Sequence, residues 1–231
     1  MDTFLEMQTA LKSDLNVGSG NNFYTDTVIK SVLNRAYFKV GGLFRWPETE
    51  DAKKTSTVAT QEYYDYPTTW RPDSVWKLMV DDEDFGEPLS FKDFQYEVEN
   101  DIPSGKERLW TSQWRRYFFY PTPTTNGTNN IVIWGQEAVE TLVADGAITI
   151  FSYSMPECNE AVVMEAVAIL KNKGQEQQSG ALISQEAKQI LVIAWGKIKQ
   201  EQSKYTKTLP FFDVPNYFQK NALISDLIGN F

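Results

Sequence analysis

The sequence predicts an α+β protein in which N-terminal and C-terminal helices form one helical bundle, interrupted by a mostly antiparallel β insert and followed by an extended arm. Two observations predict this fold class. Apolar residues of the 231-residue chain recur at helical spacing near both ends, and at a spacing of two between them. The predicted bundle comprises residues 1–47 and 156–207, the insert residues 48–155, and the extended C-terminal arm residues 208–231.

Two helices are predicted before the β insert. Apolar side chains recur every three or four positions from Asp26 to Phe44, behind Thr25 or Asp26 as the N-cap. Trp46-Pro47 ends this pattern, because the residue before a proline resists the helical conformation. A weaker helical pattern covers Met1 to Leu15. The stronger pattern therefore predicts an amphipathic helix, and the weaker one a shorter partner.

Alternation of side chains predicts β-strands in the insert. The predicted strands cover residues 55–59, 63–67, 75–80, 114–120 and 131–134, with a last short strand after Asp145-Gly146. Residues 121–127 are rich in proline, threonine and asparagine, which predicts a hairpin loop between the last two long strands. Ser90 with Asp93 resembles a capping box and predicts a short helix to about Glu99.

The helical spacing returns after Pro156 and predicts a hairpin of two helices that ends near Tyr205. Beyond it, Pro210 and Pro215 exclude a regular helix as far as Pro215. The arm's large apolar residues are Leu209, Phe211, Phe212, Tyr217, Phe218, Leu223, Ile224, Leu227, Ile228 and Phe231. A free terminus would not expose so much apolar surface, because each large side chain gains roughly 1.5–3 kcal/mol on burial. The arm therefore either folds back on its own core or is received by a partner subunit.

The composition excludes several classes of function. The chain has no histidine and one cysteine, Cys158, so most nucleophilic hydrolase mechanisms and the usual zinc sites lack their residues. No cofactor or metal is expected. The longest apolar stretches, residues 131–134 and 190–195, are too short to span a bilayer, so no membrane role is expected. Carboxylate-pair chemistry remains possible. With the many Trp and Tyr residues, it leaves open a carbohydrate-active enzyme or a sugar-binding β module.

The negative charge is concentrated in one region. Residues 48–101 hold fifteen acidic and five basic side chains, a net charge of −10, whereas residues 157–207 hold six and seven, a net charge of +1. Such an acidic surface repels phosphate and disfavours tight DNA binding. The run Asp81-Asp82-Glu83-Asp84 is interpreted as a solvated hairpin tip, because four consecutive acids cannot converge on one calcium ion.

Several short segments, taken in order and with their spacing, resemble the head-to-tail adaptor (connector) proteins of tailed bacteriophages. These segments are Asn34-Arg35-Ala36-Tyr37, Trp46-Pro47, residues 55–67 (TSTVATQEYYDYP), Trp70-Arg71, residues 75–81 and Tyr120-Pro121-Thr122-Pro123. The resemblance spans about residues 25–205. It implies a helical bundle beside a β element, and a structural protein without a catalytic site.

The resemblance also implies an assembly and its partners. Proteins of this family form a ring, typically a dodecamer, beneath the portal and extend the DNA channel towards the tail. The implied partners are other copies of the chain, the portal protein, and a tail or second connector protein, while DNA passes without specific binding. The chain would be made in the host cytoplasm and reside in the virion at the portal vertex. We expect the arm to dock on the portal or a neighbouring ring protein. The acidic hairpin Asp81–Asp84 would face the channel or the tail.

Overall fold

The predicted α+β fold class is confirmed by a computed structural model, which describes residues 3–17, 23–100, 108–173 and 176–205. The α-helices are α1 (Phe4–Asp14), α2 (Asp26–Gly41), α3 (Phe91–Glu99), α4 (Glu157–Lys173) and α5 (Gln177–Tyr205), with a 3-10 helix at Pro47–Thr49. The strands are β1 (Glu50–Thr55), β2 (Tyr63–Asp65), β3 (Lys77–Val80), β4 (Glu83–Asp84), β5 (Leu109–Gln113), β6 (Arg116–Tyr120) and β7 (Ile131–Gln136). The predicted arm, residues 208–231, lies outside the described residues.

Helix α4 forms the centre of the bundle. Its buried side chains lie on all sides of the helix, which is typical of a helix surrounded by others. Helices α1, α2 and α5 pack against it. Small residues such as Ala161 and Ala166 are completely buried and allow this close approach. Among the described helices, none has the length and hydropathy that a membrane crossing requires.

The buried carboxylate of Glu165 in α4 joins the two neighbouring helices. Lys39 of α2 donates to Glu165 Oε1, and Ser184 Oγ of α5 donates to Glu165 Oε2 at 2.8 Å. Both oxygens of the acid are therefore satisfied, as a buried charge requires. Glu165 therefore links α2 and α5 through α4.

Local sequence explains where α2 begins and ends. Thr25 caps α2 by accepting from the Val28 N–H, as the sequence predicts. Helix α2 ends at Gly41, three residues before the predicted Phe44. A Cβ atom at Gly41 would lie 2.7 Å from a methyl group of Val139, so glycine permits the close approach of the chain there.

Two small antiparallel sheets form the β unit, which here means residues 50–136. Their strand orders are β1-β7-β3-β4 and β2-β6-β5. Their shared core contains mostly rings, and Tyr64 stacks on Tyr117 and Phe119 with ring centroids 5.6 and 5.4 Å apart. Trp70 packs directly over Gly135, where a Cβ atom would lie 2.2 Å from the indole ring.

The prediction of a strand at residues 55–59 was wrong. Strand β1 ends at Thr55, and the next residues follow an irregular path. Their backbone is satisfied by side chains instead: the Thr57 N–H donates to Asn130 at 2.9 Å, and the Ala59 N–H to Asn126 at 2.8 Å. These distant amides replace the strand partner that the alternating pattern suggested.

Two further predictions in the insert need correction, and strand β5 was not predicted. Residues 121–130 connect β6 of one sheet to β7 of the other, so they are not a hairpin loop. No strand follows Asp145-Gly146, since the described residues 147–155 contain turns. Strand β5 was missed, because Trp110 and Thr111 are both buried and hide the alternation. Burial of the polar Thr111 is tolerated because its hydroxyl donates to the Leu89 carbonyl at 2.8 Å.

Residues 137–156 lead back to the helices and contribute to their core. Leu142, Phe151 and Met155 are buried there. Asn34 of α2 fixes this segment by donating to the Leu142 carbonyl at 2.9 Å and accepting from the Leu142 N–H at 2.7 Å. The exact division of the chain into bundle, insert and arm stays a prediction.

Candidate assembly surfaces

Arg71 fixes the β unit to the helical bundle. Its guanidinium donates to the carbonyl oxygens of Gly42 at 2.8 Å, Phe44 at 3.2 Å and Gly41 at 3.4 Å, and to the Gln136 side chain at 3.1 Å. Carbonyls at a helix C-terminus lack partners within the helix, and a cation there also interacts favourably with the negative end of the helix dipole. Burial lowers the pKa of Arg71, but a guanidinium remains charged. The junction therefore has a fixed geometry.

A second contact supports the same junction from the bundle side. The guanidinium of Arg45 lies 4.2 Å from the centroid of the Trp76 ring, within the range of a cation–π interaction. Trp46, the next residue, is completely buried in the bundle, and its indole N–H donates to the Val40 carbonyl at 3.3 Å. The adjacent residues Arg45 and Trp46 thus contact the β unit and the bundle core, respectively. A surface on the bundle therefore has a defined position relative to a surface on the β unit.

The acidic hairpin Asp81–Asp84 lies at the exposed tip of β3 and β4. Val80 pairs with Glu83, which leaves Asp81 and Asp82 as a two-residue loop with φ of 52° and 63°. Two positive φ angles are typical of the type I′ turn, and aspartate tolerates this conformation better than most residues. The predicted solvated hairpin tip is therefore where the sequence places it, and the turn itself favours aspartate.

The acids of the hairpin bind separate partners. Asp81 accepts from Asn130 at 2.9 Å, Glu83 pairs with Arg108, and Asp84 pairs with Lys77 at 3.0 Å. Partial burial acts to raise the pKa of Asp84, but the Gly86 N–H and the Lys77 ammonium outweigh it and hold the pKa below its ordinary value. The carboxylates therefore diverge, and among the described residues no group of three metal-binding side chains is found.

A rigid aromatic side chain protrudes from the other sheet. Trp114, in the turn between β5 and β6, has 75% of its surface exposed and a φ of 61°. Its carbonyl accepts from the Asp73 N–H at 3.0 Å, and the next residue, Arg115, donates to the carbonyls of residues 67, 68 and 70. The turn is thus held in place while the indole remains free to contact another molecule, as interface anchors commonly do.

Exposed apolar side chains also occur on the helical bundle. On α5 these are Leu182 and Ile193, with 63% and 62% exposed, and on α2 Phe38, with 42% exposed. By contrast, Cys158 of α4 is buried, and its burial together with the nearby acids raises the pKa of its thiol to about 12. The thiol therefore favours its protonated form and contributes to the packing of α4.

A model of the SU10 adaptor protein family matches residues 2–208 of this chain. The chain belongs to the SU10 adaptor protein family. This membership confirms the resemblance to phage head-to-tail adaptors and makes the protein a structural component of the virion. A comparison with curated proteins finds no match.

Most residues on which the adaptor resemblance rests stabilise the fold. Asn34 and Tyr37 bind the backbone of residues 142 and 150, Trp46 and Trp70 fill the two cores, and Arg71 joins them. The sequence analysis identified these residues but did not predict that Arg71 joins the β unit to the bundle. The available signal was the Gly41-Gly42 helix end, whose last carbonyl groups need a donor, together with an arginine that directly follows a tryptophan. The predicted docking residues of this adaptor, from Leu209 to Phe231, lie outside the described residues.

Proposed function

We propose that this adaptor forms a closed homo-oligomeric ring between the portal and the tail and extends the DNA channel, without catalysing a reaction. The observation that carries the proposal is the family match over residues 2–208, which includes every described residue. By the resemblance the ring is a dodecamer at the portal vertex of the virion, and its subunits are made in the host cytoplasm. A rigid junction between bundle and β unit supports this role, because each subunit of a ring must repeat the same geometry.

The acidic β unit supports passage of DNA without specific binding. Residues 48–101 carry a net charge of −10, and the hairpin Asp81–Asp84 projects exposed carboxylates from this region. These negative charges repel the phosphate backbone of DNA. Binding to them would also release no counterions from the DNA, so this driving force is absent. The hairpin faces either the channel or the tail-side ring. If it faces the channel, purified protein shows no affinity for duplex DNA even at low salt.

Residues 208–231 act as an arm that docks on the portal or on a neighbouring ring protein. Pro210 and Pro215 favour an extended chain with fewer backbone donors, which suits an arm laid along another protein. Phe211 and Phe212 are suitable anchors, because aromatic side chains bury a large area for a small loss of rotamer entropy.

The alternative of a carbohydrate-active enzyme requires two carboxyl groups that face one cleft. In the described part of the acidic hairpin, each paired acid points to a different partner. We therefore assign the hairpin carboxylates to charge repulsion and turn formation, and we propose no reaction for them.

Purified protein added to portal-bearing heads that lack tails tests this function. Electron microscopy should show a ring at one vertex of each head. The matched variant ends after Thr208. It should keep the thermal transition of the full chain but fail to attach. Absence of a ring with the full chain would contradict the proposed function. Loss of the thermal transition on truncation would instead show that the arm belongs to the chain's own core.

A further inference from the structure

The outward face of α5 is unusually poor in charge for a helix surface. Between residues 181 and 196, all of which the structure describes, the charged side chains are the exposed Glu186 and the half-buried Lys188, and glutamines separate Glu186 from Leu182, Val192 and Ile193. A helix face that meets only water normally carries many charges. This pattern indicates that another protein surface covers α5.

The two described glycines of α5 differ in what they contact. A Cβ atom at Gly180 would lie 2.3 Å from the Asn172 side chain and 3.0 Å from the Ala168 carbonyl, so Gly180 permits packing on α4. A Cβ atom at Gly196 would meet no described residue within 4 Å. Glycine inside a helix is less favourable than alanine, and nothing described within the subunit requires it at position 196. A close neighbour from outside the subunit would account for it.

Helix α2 presents a complementary face. Ser31, Arg35 and Phe38 are exposed at positions i, i+4 and i+7, on the side that points away from α4. Arg35 makes no ion pair with another described residue, and the same holds for Glu186 of α5. Within the described part of the chain, one face thus offers a cation without an ion-pair partner beside an exposed ring, and the other an anion without such a partner beside exposed aliphatic side chains.

We infer that the exposed face of α2 in one subunit docks on the exposed face of α5 in the next, with Arg35 paired to Glu186 and Phe38 covered by the aliphatic side chains of α5. The contact joins two different surfaces, and contacts of this kind form closed rings when the rotation between subunits is constant. Helices α2 and α5 both pack on α4 and both bind its Glu165, which holds the two faces at a defined angle within each subunit. This inference rests on the proposed ring function and names its contact.

Cross-linking on assembled heads tests the contact. The double variant Arg35→Cys, Glu186→Cys is attached to portal-bearing heads and treated with a short bis-maleimide. A denaturing gel should show a ladder that extends to the full ring. A mixture of the two single variants should give covalent dimers and nothing larger, because each molecule then carries one reactive site. The native Cys158 is buried and does not react. A dimer from either single variant alone would instead show that like faces meet, and would overturn the inference.

Charge reversal provides a second, independent measurement. Arg35→Glu should reduce the number of heads that carry a ring by about tenfold or more, because the repulsion recurs at each contact of the ring. Adding Glu186→Arg should restore the rings. Tyr96→Asp is the matched control, since this exposed aromatic lies on α3 and outside both faces. Wild-type rings without a ladder, or without rescue, overturn the contact and leave the ring function intact. Absence of wild-type rings overturns both.

Discussion

The helical bundle and the β unit fill their cores in different ways. The bundle core is mostly aliphatic, with alanines along α4 where three helices approach one another. The β unit core is mostly aromatic, because two sheets of short strands leave a gap that few small side chains could fill. The bundle therefore consists of regular helices with long exposed faces. The β unit is stabilised by a few large aromatic side chains and by hydrogen bonds from loop side chains.

The surfaces of the two regions differ as well. Residues 48–101, most of which lie in the β unit, carry a net charge of −10, while residues 181–196 of α5 carry one acidic and one basic side chain. An acidic surface keeps other acidic surfaces and DNA away, and a neutral apolar face favours association. This difference supports the proposal that the bundle provides the contacts between subunits. Three predictions test how far the two regions act separately.

The largest expected effect is the loss of a core ring from the β unit. Trp110 is completely buried, and its indole donates to the Gly86 carbonyl at 2.7 Å. Trp110→Ala should reduce the free energy of unfolding by about 3–5 kcal/mol, measured by denaturant unfolding. The control is Trp114→Ala, whose exposed side chain should change stability by at most about 0.5 kcal/mol. Equal losses for the two variants would contradict the aromatic core described above.

A smaller effect is expected at the junction. Arg71→Met retains much of the side-chain volume but removes the donors to the end of α2, and should cost about 2–3 kcal/mol because the carbonyls it bound are partly buried. The β unit and the bundle should then unfold in separate calorimetric transitions.

The control for the junction is Arg116→Met. This exposed arginine pairs with Asp65 at 3.2 Å within one sheet, and its loss should cost at most about 1 kcal/mol. A single unchanged transition for Arg71→Met would show that Arg45 and the remaining contacts suffice to couple the regions.

The smallest effects are expected at the two glycines of α5, and they differ in sign. Gly180→Ala should destabilise the isolated subunit by about 1–3 kcal/mol, since the new methyl group meets Asn172 and a backbone carbonyl of α4. Gly196→Ala should stabilise it by about 0.5–1 kcal/mol through helix propensity alone. Thermal unfolding of the subunit without heads measures both. Destabilisation by Gly196→Ala would mean that part of the subunit itself packs against that face.

Much of the helical structure follows from the sequence alone. The apolar spacing of α2, α4 and α5, the Thr25 cap and the Ser90 cap act over a few residues, so local sequence determines them. The capping box of α1, in which Thr3 and Glu6 bind each other's backbone, was also readable but was missed. The acidity of the region around Asp81–Asp84 is likewise a property of composition.

Other features were decided by the tertiary structure. Which strands share a sheet, and that residues 121–130 join two sheets, depends on partners far apart in the chain. The same holds for Arg71, whose carbonyl acceptors lie 27 to 30 positions earlier and whose side-chain acceptor Gln136 lies 65 positions later. It also holds for the amides of Asn126 and Asn130 that replace a strand at residues 55–59. Periodicity shows that a helix has an apolar side, but only packing around α4 decides which apolar residues of α2 and α5 remain exposed, because burial depends on every neighbour at once.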